Sequence, residues 1–224
     1  MRFPVRRLLL AAGLALPHPA PAQRAPLVTR VPAARLGDDP PVHEAWPQRD
    51  LLPGARFNAA VQSPDGYLWL ATSKGLLRFD GARAVRAMPP FFDSLPNPEV
   101  LTVYLGRHGA IWAGTARAGV FRLLNGAYTR WTTAQGLPSD EVHAVYQDSA
   151  GRTWIGTQRG LCRVDGAACR PVGPPNVSVL ALGADWDCRL LVGSYGLFRL
   201  DGDRFDQVPG LAPVLYRVIR IRTG

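Results

Sequence analysis

Lysine is almost missing from this sequence of 224 residues: there are 26 basic residues, and Lys74 is the only lysine among them. The arginines that make up the rest are scattered, and they form no run or stripe that would follow a phosphate backbone. The formal net charge of +9 includes three arginines in the first seven residues. A nucleic acid is therefore not expected as a partner.

Cysteine is scarce as well, with Cys162, Cys169 and Cys188 as the only three. No second pair of Cys or His accompanies them, so their spacing does not support a zinc site, and neither a metal nor a cofactor is predicted. Cys162 and Cys169 flank Asp165-Gly166 symmetrically, and a two-residue hairpin would place both side chains on one face of opposing strands. Either they form a disulfide in an oxidising compartment, or both are small core hydrophobes.

Long apolar runs are also absent. The most apolar stretch, residues 8–16, is too short to cross a bilayer core of about 30 Å as a helix, so no membrane span is predicted in this chain. It follows Arg2, Arg6 and Arg7 and precedes Ala20-Pro21-Ala22, which is the order of a secretory signal peptide. We predict a signal peptide over residues 1–22, cleavage after Ala22, a flexible segment over 23–41, and a periplasmic or secreted product.

A repeat becomes visible when Trp69, Trp112, Trp154 and Leu191 are aligned as anchors, at intervals of 43, 42 and 37 residues. A proline precedes each anchor by sixteen residues and an apolar residue precedes it by twelve. Just after each anchor come a small residue and then Thr or Ser: Ala71-Thr72, Gly114-Thr115, Gly156-Thr157 and Gly193-Ser194. A glycine, an apolar run and a turn follow in every copy. Agreement at so many positions indicates four copies of one structural unit.

Each copy has the turn signals and short strands of a four-stranded antiparallel meander. A sheet with two apolar faces needs neighbours on both sides, and radial stacking of blades satisfies this at a period of ~40 to 45 residues. The fold class is therefore predicted as all-β, a β-propeller, with blades near 47–88, 89–131, 132–172 and 173–208 and a partial fifth over 209–224. The period and the missing 3.6-residue pattern exclude a helical or leucine-rich solenoid.

The third copy resembles the two-component regulator propeller repeat. The resemblance is carried by residues 137–142, by Gln147-Asp148, by residues 151–157 and by Asp165-Gly166, and the first copy is similar in residues 69–72 and 79–81. It implies the periplasmic sensing part of a membrane signalling protein, commonly a hybrid histidine kinase and sometimes a diguanylate cyclase. We expect an incomplete ring, an open arc of blades from a truncated product that lacks further blades and the signalling domains.

The candidate binding residues come from the loops between the second and third strands, which surround one mouth of a propeller's channel. Three of these loops place a cation five residues past the anchor, Lys74, Arg117 and Arg159, and the fourth presents Tyr195. One interpretation is a cationic rim for an anionic small molecule or a glycan, with Tyr195 as a stacking surface. The other is ordinary solvated loop charge.

Catalysis has little support in the sequence. His43, His108 and His143 have no shared spacing that would gather them, and the mouth positions named above contain neither the His nor the Glu that a propeller lyase would need. We therefore predict a ligand-sensing propeller segment of a signal-transduction protein that binds and does not catalyse. The alternatives are a secreted lyase-like propeller enzyme and an orphan interaction or adhesion module.

Overall fold

The structure is a computed structural model that describes residues 54–89 and 99–209. These residues form four antiparallel sheets of four strands each, and within each sheet the strands pair in chain order. The all-β propeller architecture predicted from the repeat is confirmed. The predicted signal peptide, the segment 23–41 and residues 210–224 of the predicted fifth blade lie outside the described residues.

Each sheet is one blade, and the strand bounds are as follows. Blade 1 contains β1 (Phe57–Gln62), β2 (Leu68–Thr72), β3 (Gly75–Phe79) and β4 (Ala84–Arg86). Blade 2 contains β5 (Val100–Leu105), β6 (Ile111–Thr115), β7 (Val120–Leu124) and β8 (Ala127–Trp131). Blade 3 contains β9 (Val142–Gln147), β10 (Thr153–Thr157), β11 (Gly160–Asp165) and β12 (Ala168–Val172). Blade 4 contains β13 (Ala181–Ala184), β14 (Leu190–Gly193), β15 (Leu197–Asp201) and β16 (Arg204–Gln207).

Helical structure is limited to two 3-10 turns, Arg107–Gly109 and Thr133–Gln135, and the described residues contain no α-helix. Nothing in the described ranges has the length and apolarity of a membrane-crossing helix. The first strands of the blades, β1, β5, β9 and β13, lie next to one another in chain order. They form the inner wall of the arc, and the remaining strands of each blade extend outward from it.

The four anchors occupy equivalent places, because each is the second residue of its blade's second strand. Trp69, Trp112 and Trp154 are buried at 3–6% exposure and face the next blade along the chain. Three hydrophobic layers result, one between each pair of consecutive blades of the described residues. The blade 2–3 layer is built around Trp112 and Trp131, and the blade 3–4 layer around Trp154.

Two glycines allow neighbouring blades to approach closely. A Cβ atom on Gly114 would lie 2.6 Å from Val142 Cγ1, and one on Gly156 would lie 2.5 Å from Val179 Cγ1. Both valines are fully buried, so Val142 at the start of β9 and Val179 just before β13 each rest on the bare backbone of the previous blade. This explains why glycine follows the anchor by two residues in blades 2 and 3.

The turn before the anchor strand satisfies the buried indole N–H groups of two blades. Trp69 Nε1 donates to Ser63 Oγ at 3.0 Å, and Trp154 Nε1 donates to Asp148 Oδ2 at 2.9 Å. Arg152 Nε also donates to Asp148 Oδ2, at 2.7 Å. Burial alone would raise the pKa of Asp148, but the hydrogen bonds from Trp154 and Arg152 together hold that pKa below its usual value.

Blade 4 forms its sheet with Leu191 at the anchor position. Its pre-anchor turn has an ion pair in place of the carboxylate–indole bond, because Arg199 Nε donates to Asp185 Oδ2 at 2.8 Å. The pKa of Asp185 is lowered, since hydrogen bonds from Arg189 and Arg199 outweigh the opposing effect of burial. An arginine thus replaces the indole as the donor to the turn.

The sulfurs of Cys162 and Cys169 form a disulfide, with the two Cα atoms 5.8 Å apart. The sequence argument placed the hairpin turn at Asp165-Gly166, which would put the two cysteines directly opposite each other. In the structure Asp165 pairs with Ala168, the turn residues are Gly166 and Ala167, and Cys169 lies opposite Val164. The bond is therefore a diagonal cross-strand link between residues that are not directly opposed.

Candidate functional site

The hairpins between the second and third strands lie together at one edge of the arc, which we call the mouth. A hydroxyl group fixes each of the first three hairpins: Thr72, Thr115 and Thr157 donate to the carbonyl oxygens of Gly75, Gly119 and Gly160 at 2.7–2.8 Å. These threonines are at most 1% exposed. Because the buried hydroxyl closes the turn, the residues at the tip project outward from a defined frame.

The structure places the four predicted binding residues on these tips. Lys74, Arg117 and Arg159 are exposed, and Tyr195 is 75% exposed. The backbone N–H groups of Lys74 and Arg159 donate to the hydroxyls of Thr72 and Thr157, both at 3.2 Å. The three cations therefore occupy corresponding positions on successive blades, and Tyr195 lies one position earlier in the fourth hairpin.

The segments that link one blade to the next reach the same edge and add carboxylates to it. Ala116 N donates to Glu99 O at 3.0 Å, and Gln158 N donates to Glu141 O at 2.9 Å. Glu99 also pairs with Arg56, with Nη2 and Oε1 3.4 Å apart. The mouth thus has mixed charge and is not the uniformly cationic rim that the hairpin residues alone suggested.

A polar cluster at the mouth was missed by the sequence argument. His143, the second residue of β9, has Nε2 at 3.0 Å from Gln158 Oε1 and at 3.5 Å from Glu141 Oε1. Ser178 Oγ donates to the same Gln158 oxygen at 3.2 Å. The mouth therefore does contain a His and a Glu, because the interblade link brings them there. Glu141 and His143 are two residues apart at the start of a strand, and alternate strand residues share a face. This spacing was the sequence signal that could have predicted their pairing.

A cavity of about 470 Å³ lies along the inner wall of the arc and is lined by residues of β1, β5, β9 and β13. Its lining is mostly small and apolar, with Asn58, Thr102 and His143 among the polar side chains. Asn58 Nδ2 donates to Val100 O at 2.7 Å and joins blades 1 and 2. A concave pocket of this volume with a few convergent polar side chains lies within the size range of small-molecule sites.

The cavity and the predicted tip residues are separate features. Among the described residues, neither Lys74, Arg117, Arg159 nor Tyr195 is part of the cavity lining, whereas His143 belongs to both the lining and the mouth cluster. The described part of the chain contains no group of three or more His, Cys, Asp or Glu placed to hold a metal ion. The arrangement supports recognition through hydrogen bonds and shape at the channel.

Residues 136–159 match the family model described as "Two component regulator propeller". These residues are similar to the two-component regulator propeller repeat. The match confirms the resemblance noted in the third copy. It covers the end of the link into blade 3 and the first two strands of that blade. A comparison with curated proteins finds no match.

Solved structures share the propeller fold. The extracellular domain assigned to a hybrid two-component system, BT3049, from B. thetaiotaomicron superposes with a TM-score of 0.56 at 17% identity, over 72% of this chain and 23% of that one. Virginiamycin B lyase from Staphylococcus aureus, in a catalytically inactive form with quinupristin, gives 0.55 at 15% identity, over 70% of this chain and 56% of that one. The chain thus spans about a quarter of the first relative and about half of the second.

The repeat and the polar cluster occupy the same stretch of chain. Residues 136–159 include Glu141, His143, Gln158 and the predicted tip residue Arg159. The segment that matches the family model therefore supplies three of the four cluster members, and only Ser178 comes from the following link.

Proposed function

We propose that this chain is the ligand-binding propeller segment of an exported sensor in a two-component or related signalling protein, acting by binding and not by catalysis. The observation that supports it is the two-component regulator propeller repeat of residues 136–159, which places its polar residues at the channel mouth. The charged and apolar order of residues 1–22 supports export. A disulfide between Cys162 and Cys169 is in keeping with an oxidising compartment.

The ligand we propose is a small molecule or glycan that enters at the mouth and reaches the cavity beside His143. Gln158, His143 and Asn58 offer hydrogen bonds there, and the apolar inner wall excludes water from one side of the ligand. Lys74, Arg117 and Arg159 would contact acidic groups that extend outside the cavity, and Tyr195 would stack on a sugar ring.

Binding of the full chain to an array of acidic and neutral oligosaccharides tests this function. We expect selective binding to acidic members and its loss in the triple variant Lys74→Ala/Arg117→Ala/Arg159→Ala. The matched control is Arg83→Ala/Arg189→Ala/Arg204→Ala, which removes three exposed arginines at the opposite edge of blades 1 and 4, two from turns and Arg204 from the start of β16. Equal binding by both triple variants would refute the rim, and no binding to any oligosaccharide would refute the glycan class.

Export has its own test. When the gene is expressed in a Gram-negative host, the periplasmic fraction should contain a chain that begins at Gln23, as measured by intact mass and N-terminal sequencing. A product that keeps Met1 and stays in the cytoplasm would contradict the predicted leader.

The enzyme alternative is favoured by one observation, the His143–Glu141 pair at 3.5 Å beside the cavity. A histidine held by a carboxylate suits general acid or base catalysis. Quinupristin, present in the structure of the propeller lyase, is the probe: incubation with the chain should consume it, as followed by mass spectrometry, and His143→Ala should stop the reaction. Unchanged quinupristin after prolonged incubation would remove this alternative for that substrate class.

A further inference from the structure

A second pocket lies at the edge opposite the mouth, in the crevice between blades 2 and 3. It has a volume of about 680 Å³, and its basic lining residues are Arg107, His108, Arg122 and Arg152, with no Asp or Glu among the described lining residues. The crevice between blades 3 and 4 has a similar volume of about 590 Å³ and also contains four arginines, but Asp148, Asp201 and Asp203 line it as well. The blade 2–3 crevice is therefore unusual in its positive charge, not in its shape.

The charge difference begins at one turn position that all four blades share. Each blade has a residue six places before the anchor whose backbone N–H donates to the carbonyl four residues later, at 2.8–3.0 Å. These equivalent residues are Ser63, Gly106, Asp148 and Asp185. In blades 3 and 4 the aspartate accepts from an arginine Nε, at 2.7 Å from Arg152 and 2.8 Å from Arg199. Blade 2 has no side chain at this position.

Blade 2 has an arginine at the position where the arginine of blade 4 is paired with a carboxylate. Arg122 and Arg199 are equivalent, because each pairs across the sheet with the anchor of its blade, Trp112 and Leu191 respectively. Arg122 Nε is buried and has no acceptor within the described part of the chain, whereas Arg199 Nε donates to Asp185. The Arg122 guanidinium lies over the rings of Trp112 and Trp131, at 5.6 and 5.7 Å from their centroids.

A second donor in the same crevice is also without a partner. Trp131 lines the pocket and is 2% exposed, and its Nε1 has no acceptor among the described residues. Buried polar groups in proteins are nearly always hydrogen-bonded, so two unpartnered donors at one positively charged crevice indicate a group that is supplied from outside.

We propose that this crevice binds a small organic anion whose carboxylate takes the place that Asp185 has in blade 4. Arg122 is the principal contact, since a guanidinium and a carboxylate form paired, charge-assisted hydrogen bonds. Arg107 adds positive charge while its Nη2 donates to the carbonyls of Asp148 and Ser149. Arg152 contributes less, because its Nε is already bound to Asp148. On binding, the Arg122 guanidinium turns from the indole faces toward the crevice and exposes its Nε.

Isothermal titration of the full chain with citrate at low ionic strength tests the site. We expect saturable binding that Arg122→Gln weakens by roughly tenfold or more, the usual effect of losing a charge-assisted hydrogen bond. The matched control is Arg163→Gln, which removes the equivalent arginine of blade 3 from the crevice that contains aspartates. It should bind citrate within about twofold of the original chain.

A second variant fills the site from within the protein. Gly106→Asp restores the carboxylate of blades 3 and 4; its Cβ would lie 2.9 Å from Trp112 Nε1, so the indole must shift before its N–H group can donate to the new carboxylate. We expect this variant to keep its β-sheet circular dichroism and to lose citrate binding. Should it fail to fold, the comparison of Arg122→Gln with Arg163→Gln still decides the matter.

Three results would overturn the proposal. The first is no heat of binding for citrate beyond that of sodium chloride at equal ionic strength, and the second is equal weakening by Arg122→Gln and Arg163→Gln. The third is inorganic phosphate binding as tightly as citrate, which would reject the carboxylate assignment. Because the crevice and the mouth lie at opposite edges, the triple variant of Lys74, Arg117 and Arg159 should still bind citrate, so this site and the proposed function fail or succeed separately.

Discussion

The blade 2–3 layer and the blade 3–4 layer use the same strand register but are filled by different chemistry. In the blade 3–4 layer the fully packed neighbours of Trp154 are aliphatic, aromatic rings join only as partly buried residues, and the Trp154 N–H group and Arg152 share the carboxylate of Asp148. In the blade 2–3 layer a second indole, Trp131, stacks on Trp112 with ring centroids 5.2 Å apart. Gly106 stands in that blade where the carboxylate would be. The same propeller frame therefore accepts either a polar network or an added aromatic side chain in the layer between two blades.

The largest difference between the layers should appear when equivalent residues at the ends of the fourth strands are truncated. Trp131 ends β8 and Val172 ends β12, and both are buried. Trp131→Ala should lower the free energy of unfolding by about 3–5 kcal/mol, because a buried aromatic is lost. Val172→Ala removes only two methyl groups and should cost about 1–2 kcal/mol. Urea unfolding of the two variants measures both, and equal losses would contradict this account.

The disulfide lies in the blade 2–3 layer, where Cys162 and Cys169 are buried. In a Cys188→Ser background, which removes the exposed free thiol, replacing both bonded cysteines by Ala should cost about 2 kcal/mol. Thermal melting with and without reductant gives the measurement. The Cys188→Ser protein should melt lower in reductant, and the triple variant should be insensitive to it. A Cys188→Ser protein that melts identically in both conditions would mean that the bond does not stabilise the blade.

The smallest effect, an acid dependence, belongs to the blade 3–4 layer. The folded state holds the pKa of Asp148 below its usual value, so the stabilisation is complete above the unfolded pKa of about 3.9. It is lost as the pH falls through the lowered folded pKa. Asp148→Asn should therefore reduce the loss of stability between pH 5 and pH 2 by on the order of 1 kcal/mol. Exposed Asp203→Asn is the control, and urea midpoints that fall equally in both variants would contradict the role of Asp148.

The sequence was sufficient for the sheets because their signals are local. The anchors, the glycines and the turn residues recur in every copy, and each marks a position whose backbone or burial permits few alternatives. Lys74, Arg117, Arg159 and Tyr195 were placed on the correct hairpins for the same reason. Their role as a ligand rim stays a prediction.

What the sequence did not reveal depends on contacts between repeats. The meeting of Glu141 and His143 with Gln158 arises because an interblade link folds against a hairpin 15 or more residues away along the chain. The Cys169 register depends on which two residues form the turn, and both Asp165-Gly166 and Gly166-Ala167 contain the glycine that such a turn requires. The charge of a crevice is the sum of the charged side chains of two neighbouring blades, so it cannot be read from a single copy of the repeat.

The buried threonine that closes each of the first three mouth hairpins separates architecture from chemistry. Thr72, Thr115 and Thr157 are the same residue in the same place, while the pairs that follow them, Ser73-Lys74, Ala116-Arg117 and Gln158-Arg159, all differ. Substitutions at those tips do not change the hydrogen bond from the threonine hydroxyl to the glycine carbonyl. Each blade can therefore carry different tip residues, and recognise different groups, while it keeps the hydrogen bond that closes its hairpin.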